Sequence, residues 1–454
     1  MSRNIEELAN KPVARLLWQY SLPAVIGMVV VSLYNVIDRI FIGQQVGPEA
    51  IAGLAITFPV MNLCTAFGVL VGGGASARVS ILLGQNRRDE AERVLGNSLM
   101  LTLIIGTLYV GTFTLFLDDI LIAFGASAVT LPPAHDFMST LLPGLLIMNL
   151  TMSFNNIQRS SGYPKRAMIA MIISAGINLV LAALFIFVFK LGIRGAALAT
   201  VLAMTSALVF VMWHFFKKDV TIRFKRGIYG LKWRIVGPIF AIGAAPFLVN
   251  VAGCLVNVLI NKSLSEYGGD TAVGAAGLFT TYTQLVVMVI LGICQGMQPI
   301  VGFNFGAGKY GRMQKAYWLA VSVATVLCVL CTLGGLTIPR YVARLFTNHE
   351  GLIAMTESCL TKALLAFPLV GFQVVSTTFF QSTGKAAKSI VLGLARQVIF
   401  LIPMMLMLPH FWGLDGVWYS FPLSDFCATA VTALLVWHTL RQMRHLERNR
   451  GLVR

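Results

Sequence analysis

The sequence predicts an all-α integral membrane protein: twelve transmembrane helices set as two parallel six-helix repeats, an N-lobe and a C-lobe, around a central cavity. Three observations carry this. Of 454 residues, 57% are hydrophobic and only 12% charged, with a mean hydropathy of +0.78. A soluble domain carries about 25% charged residues. The apolar residues fall in long runs, and features of the first half recur in the second at a fixed offset. Gly is only 42 of 454 residues and Cys only seven, which excludes collagen and disulfide scaffolds.

A membrane-crossing helix needs about 20 apolar residues. Windows bounded by charges, Gly and Pro give spans at 16–41, 50–82, 96–117, 129–157, 167–189, 193–216, 238–262, 272–305, 316–338, 352–380, 387–409 and 413–439. The run beginning at Leu16 is too long for a signal-peptide core, so the first helix is expected to be retained.

The net charge of +17 follows from sidedness. On this span assignment 26 Lys and Arg lie in segments on one side, including 217–234 and the tail after residue 440. The other side holds only Lys190, Arg194, Lys262, Arg340 and Arg344. Basic loops stay in the cytoplasm, so both termini are expected there, in a bacterial inner membrane. No basic stretch is interleaved with aromatics in a polar context, which argues against nucleic acid as a partner.

An offset of 222 aligns Asn35 with Asn257, Gly47 with Gly269, Ala50 with Ala272, Gly74 with Gly296 and Gly84 with Gly306. Ser160 and Gly162 meet Ser382 and Gly384, and Gly192 meets Gly413 after a one-residue slip. A shared offset over more than a hundred residues implies duplication. Six spans per half make the repeats parallel. The expected organisation is an N-lobe at 1–216, a basic cytoplasmic linker at 217–237 and a C-lobe at 238–454 with a basic tail. Two such bundles across a cavity suit alternating access.

Enzyme signatures dissolve on inspection. Gly306-Ala-Gly-Lys-Tyr-Gly311 matches a dinucleotide fingerprint literally but lacks the flanking strand, and Phe303 and Tyr310 spoil a Walker A reading. Cys328-Val-Leu-Cys331 lies in an apolar span, and the six His show no ligand spacing. No enzyme activity, cofactor or resident metal is expected, and any pumping must draw on an ion gradient.

Buried carboxylates are the informative residues, because a charge at mid-bilayer costs at least about 2.5–3.5 kcal/mol. Asp38 lies in Tyr34-Asn-Val-Ile-Asp38-Arg39, fifteen residues after Pro23, a proline that interrupts the helical ladder. Asn35 and Asp38 share a helix face, where carboxylate and amide together can hold a proton or a small cation; an ion pair with Arg39 is the structural alternative. Asp425 follows Pro422 in the last span and has Arg396 or Lys362 as candidate partners, so it is either a second acidic site or a structural ion pair. Glu357 falls near a span end. The small residues Gly68, Gly72, Gly292 and Gly296 are read as close-packing surfaces.

Several stretches resemble the MATE (multidrug and toxic compound extrusion) family, in its MepA-type bacterial branch. They are Leu33-Tyr-Asn-Val-Ile-Asp-Arg-Ile-Phe-Ile-Gly43, Gly195-Ala-Ala-Leu-Ala-Thr200, Tyr267-Gly-Gly-Asp-Thr-Ala-Val273, Gly296-Met-Gln-Pro-Ile-Val-Gly-Phe-Asn-Phe-Gly-Ala307, Gln381-Ser-Thr-Gly384 and Ser424-Asp425. The resemblance covers residues 10–440. It implies a V of two six-helix lobes that exports hydrophobic, often cationic, drugs in exchange for H⁺ or Na⁺. The expected partners are small hydrophobic or cationic molecules and the lipid bilayer, with the chain a monomer. It implies a cation-coupling site at Asp38 with Asn178 and Thr200, beside Tyr34 and Asn35, and a helix kink at Pro23. One departure matters: Ala182 stands where many members carry a second acid. A hard cation prefers several oxygen ligands, so Asp38, Asn178 and Thr200 would make a thin Na⁺ site, and a lone carboxylate suits H⁺. The rival expectation is a lipid or lipid-linked oligosaccharide flippase, which would need several cavity cations; only Arg39, Arg78, Lys362 and Arg396 are candidates.

Overall fold

The computed structural model describes the backbone of residues 3–45 and 48–452, and side chains over 5–34, 36–38, 40–42, 54 and 56–443. Among the described residues it is helical, with no strand. Among the described residues, nine helices are long and apolar enough to cross a membrane, and a pair bent by 60° (Glu350–Ala363 with Phe367–Ser382) makes one more span. Two of the nine are double: Trp233–Gly306 breaks at Gly269 (φ 63°) and Ala386–Met443 at Gly413 (φ 55°). A side chain rarely tolerates positive φ, so glycine permits these reversals. Counted this way, the spans number twelve.

The duplication is visible in the backbone. Gly162 and Gly384 both take positive φ (104° and 72°), as do Gly192 and Gly413 (58° and 55°) and Asn86 and Gly308 (60° and 70°). The second span (Pro48–Gly84) and the eighth, the second arm of Trp233–Gly306, cross on the axis relating the halves. There residues meet their own repeat mates. Gln298 Nε2 donates to Ser76 Oγ at 3.1 Å, 222 residues away, and a Cβ on Gly302 would lie 2.8 Å from that of Ser80. A Cβ on Gly84 would sit 2.0 Å from the Phe303 carbonyl oxygen, and one on Gly306 2.1 Å from that of Ile81.

Flanking contacts repeat the relation. Gly74 abuts Ile239 and Gly243 of the seventh span, while its mate Gly296 abuts Ser21 of the first. Only glycine lets the backbones approach this closely, as expected of small-residue packing in lipid. All of these contacts lie toward the ends that carry the basic loops, so the lobes are joined tightly at that end.

Segment 217–232 is strapped to the N-lobe. Asn97 donates to the Ile228 and Gly230 carbonyls at 3.0 and 3.2 Å, Arg88 to that of Val220 at 3.0 Å, and Lys225 pairs with the buried Glu92. The seventh span begins at Trp233.

Candidate cation site in the N-lobe and the family it belongs to

The first span, Val13–Gln45, holds Pro23 in the half nearer the basic loops and Asp38 in the half away from them. Gly27 packs on Met171 of the fifth span (Pro164–Val188), and the Phe41 ring meets that of Phe187 edge-on at 5.2 Å between centroids. The sixth span, Gly192–Phe216, packs beside the fifth. Asp38, Asn178 and Thr200 lie seven, ten and eight residues from the ends of their spans away from the basic loops, at 45, 188 and 192. At 1.5 Å per residue that places all three in one layer, about 10–15 Å below those ends.

Within the layer, Asn178 is 2% exposed and its Nδ2 donates to Thr200 Oγ1 at 3.1 Å. The Thr200 hydroxyl donates in turn to the Ala196 carbonyl at 3.1 Å. Asn178 Oδ1 therefore keeps its acceptor capacity. Asp38 is half-buried, and its Oδ1 is enclosed with no hydrogen-bond donor among the described residues. A buried acceptor without a partner is costly, so a carboxylate left this way invites a proton or a cation. No hydrogen bond among the described residues joins Asp38 to Asn178 or Thr200. Tyr34 is buried one turn before Asp38. Asn35 is helical, but its side chain, like that of Arg39, lies outside the described residues. Ala182 is fully buried one turn beyond Asn178, and the fifth span offers no second carboxylate.

The C-lobe acid is arranged differently. Asp425 is 3% exposed and accepts from Arg396 Nε at 2.6 Å. Arg396 comes from a π-helical stretch, Ala395–Leu401. Gln373 Nε2 bonds the Asp425 carbonyl and Thr429 Oγ1, both at 2.6 Å. Of the two partners the sequence offered, Arg396 takes Asp425, and Lys362 pairs with Asp415. Glu357 pairs with Arg340 at 2.8 Å near the span end.

One polar group was missed by sequence reasoning. Arg159, placed by hydropathy among the basic loops, is 3% exposed and bridges the lobes by donating to Gln295 of the eighth span, with Nη2 bonding Asn155 at 3.0 Å. The only hint was its place in Gln158-Arg-Ser-Ser-Gly162, the mate of Gln381-Ser-Thr-Gly384. Among the described residues no three His, Cys, Asp or Glu side chains group as metal ligands.

The MatE family profile matches residues 23–184 and again 246–407, two copies starting 223 residues apart. The chain belongs to the MatE family. Curated relatives in the family include the multidrug export protein MepA of Staphylococcus aureus (strain MRSA252), 26% identical over 433 residues and covering 95% of each chain. The MepA of Staphylococcus haemolyticus (strain JCSC1435) is 26% identical over 423 residues, 93% of this chain and 92% of its own. Among solved structures, a multidrug resistance MATE family transporter of the MOP superfamily in its outward-facing conformation superposes with a TM-score of 0.92 at 25% identity, over 98% of this chain and 99% of its own. A MOP superfamily transporter from Pyrococcus furiosus gives the same figures. These relatives are named as transporters, in keeping with a multi-pass membrane protein that is not an enzyme.

Proposed function

We propose that this MatE protein is a secondary antiporter of the bacterial inner membrane, with both termini cytoplasmic, working as a monomer. It exports amphipathic, often cationic, drugs or toxic organic compounds in exchange for H⁺ or Na⁺ by alternating access. The names of its staphylococcal relatives support drug export as the direction and cargo. The observation that carries ion coupling is the enclosed Asp38 oxygen without a donor among the described residues, in one layer with the Asn178–Thr200 pair. Loading Asp38 would favour one arrangement of the N-lobe and drug binding the other, since coupling needs differential affinity for two states. The lone acid favours H⁺, because a proton needs one carboxylate and Na⁺ several oxygens.

A hundredfold ion gradient supplies about 2.7 kcal/mol per ion. The flippase reading loses ground on a specific point: Arg396 and Lys362 are each neutralised by a carboxylate and do not offer free charge to a pyrophosphate.

The test is ethidium flux in reconstituted liposomes, with a pH gradient or a Na⁺ gradient imposed separately. Flux driven by one gradient and abolished in Asp38→Asn is expected. Flux that survives in Asp38→Asn would remove Asp38 from the mechanism, and no flux under either gradient with active lipid scrambling would install the flippase.

A further inference from the structure

The helix Arg3–Asn10 leads into the first span, yet its last carbonyls are gripped by the other lobe. Arg312 Nη2 donates to the Leu8 carbonyl at 3.3 Å and to that of Lys11 at 2.6 Å; Lys309 Nζ donates to that of Ala9 at 3.0 Å. Arg312 is aimed by its Nε bond to Asn304 Oδ1 at 3.2 Å, and Asn304 is fully buried in the eighth span. The closing carbonyls of a helix lack internal partners and carry the negative end of its dipole, so cations suit them. Ile5 and Leu8 are buried in the cluster that contains Leu82 and Leu83 of the second span and Phe303 of the eighth. The short helix thus sits across the seam between lobes.

The corresponding position in the other repeat has the same logic. Lys309 and Tyr310 are the repeat mates of Arg87 and Arg88, at the offset of 222. Arg88 and Asn97 of the third span (Arg88–Leu115) hold the carbonyls of 217–232, the segment that leads into the seventh span. Each lobe's leading segment is therefore tied to the opposite lobe. Segment 217–232 connects the lobes covalently in any arrangement, whereas Arg3–Asn10 is joined to the C-lobe through the Lys309 and Arg312 bonds and apolar contact.

We propose that Lys309 and Arg312 form a latch: positioning residues that hold Arg3–Asn10 across the seam and so favour the arrangement in which the lobes are shut at their basic end. The bonds need both lobes close together there, so they bias the two-state equilibrium toward closure. Reading this as the cytoplasmic gate of alternating access rests on the proposed function; the latch itself does not.

The test is a distance measurement between spin labels at Gln85→Cys and Ala387→Cys, exposed positions at the basic ends of the two lobes. It is made on the full chain without its native cysteines, in nanodiscs, with no drug and no ion gradient. The parent should show one short distance. Lys309→Ala with Arg312→Ala should raise the ratio of separated to closed lobes about tenfold. Arg312→Lys should restore most of the closure, and Lys315→Ala, an exposed cation on the same helix, should leave the distance unchanged. An unchanged distribution in a double variant of unaltered Tm overturns the latch, as does an equal shift in Lys315→Ala. If the double variant does not fold, Asn304→Ala, which frees Arg312 from its aim, should open the lobes in the same direction to a smaller degree, and no shift there overturns the proposal. Because no substrate or gradient enters, a failed flux assay leaves this result standing, and an unchanged distance leaves antiport standing.

Discussion

The two lobes descend from one six-helix unit, but they treat a membrane-embedded acid in opposite ways. In the C-lobe, Asp425 is closed by Arg396, while Gln373 ties the Asp425 backbone to Thr429. In the N-lobe, Asp38 has an enclosed oxygen with no donor among the described residues. A buried ion pair is a finished structure, costly to break and with nothing left to bind. A buried carboxylate without its pair is a site that awaits a charge. Duplication supplied two scaffolds; the embedded acid is neutralised in one of them, and the proposed coupling acid lies in the other.

The largest expected effect breaks the comparison outright. Asp38→Asn should reduce gradient-driven ethidium flux to the level of empty liposomes while leaving Tm unchanged or higher, since a costly acid is removed; full flux would end the N-lobe reading. Next, Arg396→Ala should destabilise the C-lobe by about 3–5 kcal/mol, because Asp425 is left buried and unpaired. A fluorescence melting curve would show it. Arg396→Met with Asp425→Leu should recover most of that loss and keep transport, and failure of the double variant to transport would give Asp425 a functional role.

A third effect sharpens the symmetry of the junction. Gly296→Ala would place a Cβ about 2.5 Å from the Ser21 backbone, so overpacking should cost about 1–3 kcal/mol. The same substitution at Gly111, where the added methyl meets nothing within 4 Å, should instead stabilise, by up to the ~1 kcal/mol gain that Ala has over Gly in a helix. Equal melting shifts would contradict tight apposition of the lobes. The smallest effect concerns the ion. Asn178→Ala removes one hydrogen bond, worth about 0.5–1.5 kcal/mol. It should weaken Na⁺-driven flux several-fold if Na⁺ is the coupling ion and leave H⁺-driven flux within about twofold. Ala182→Asp, which adds a second acid beside Asn178, should shift the preference toward Na⁺ in the same assay.

Much of this arrangement was readable in the chain. The twelve spans follow from apolar run length, and Gly162 with Gly384 and Gly192 with Gly413 share positive φ as their shared offset suggested. Asp38 drew notice because a carboxylate inside a span demands an explanation. Arg159 escaped because hydropathy assigns an arginine near a span end to the loop. Only the approach of the eighth span, bringing Gln295, buries it. Asp425 was legible as unusual but not as paired, since Arg396 and Lys362 were equal candidates in one dimension.

By itself, then, the sequence determined the solvent, the number of crossings and the duplication, because these depend on local composition and on a repeat offset that bilayer physics reads directly. The tertiary structure decided which acid is satisfied, which glycines touch, and that each leading segment crosses to the other lobe. Those outcomes depend on which side chains, far apart in the chain, come within bonding distance, and only the packing of helix on helix sets that.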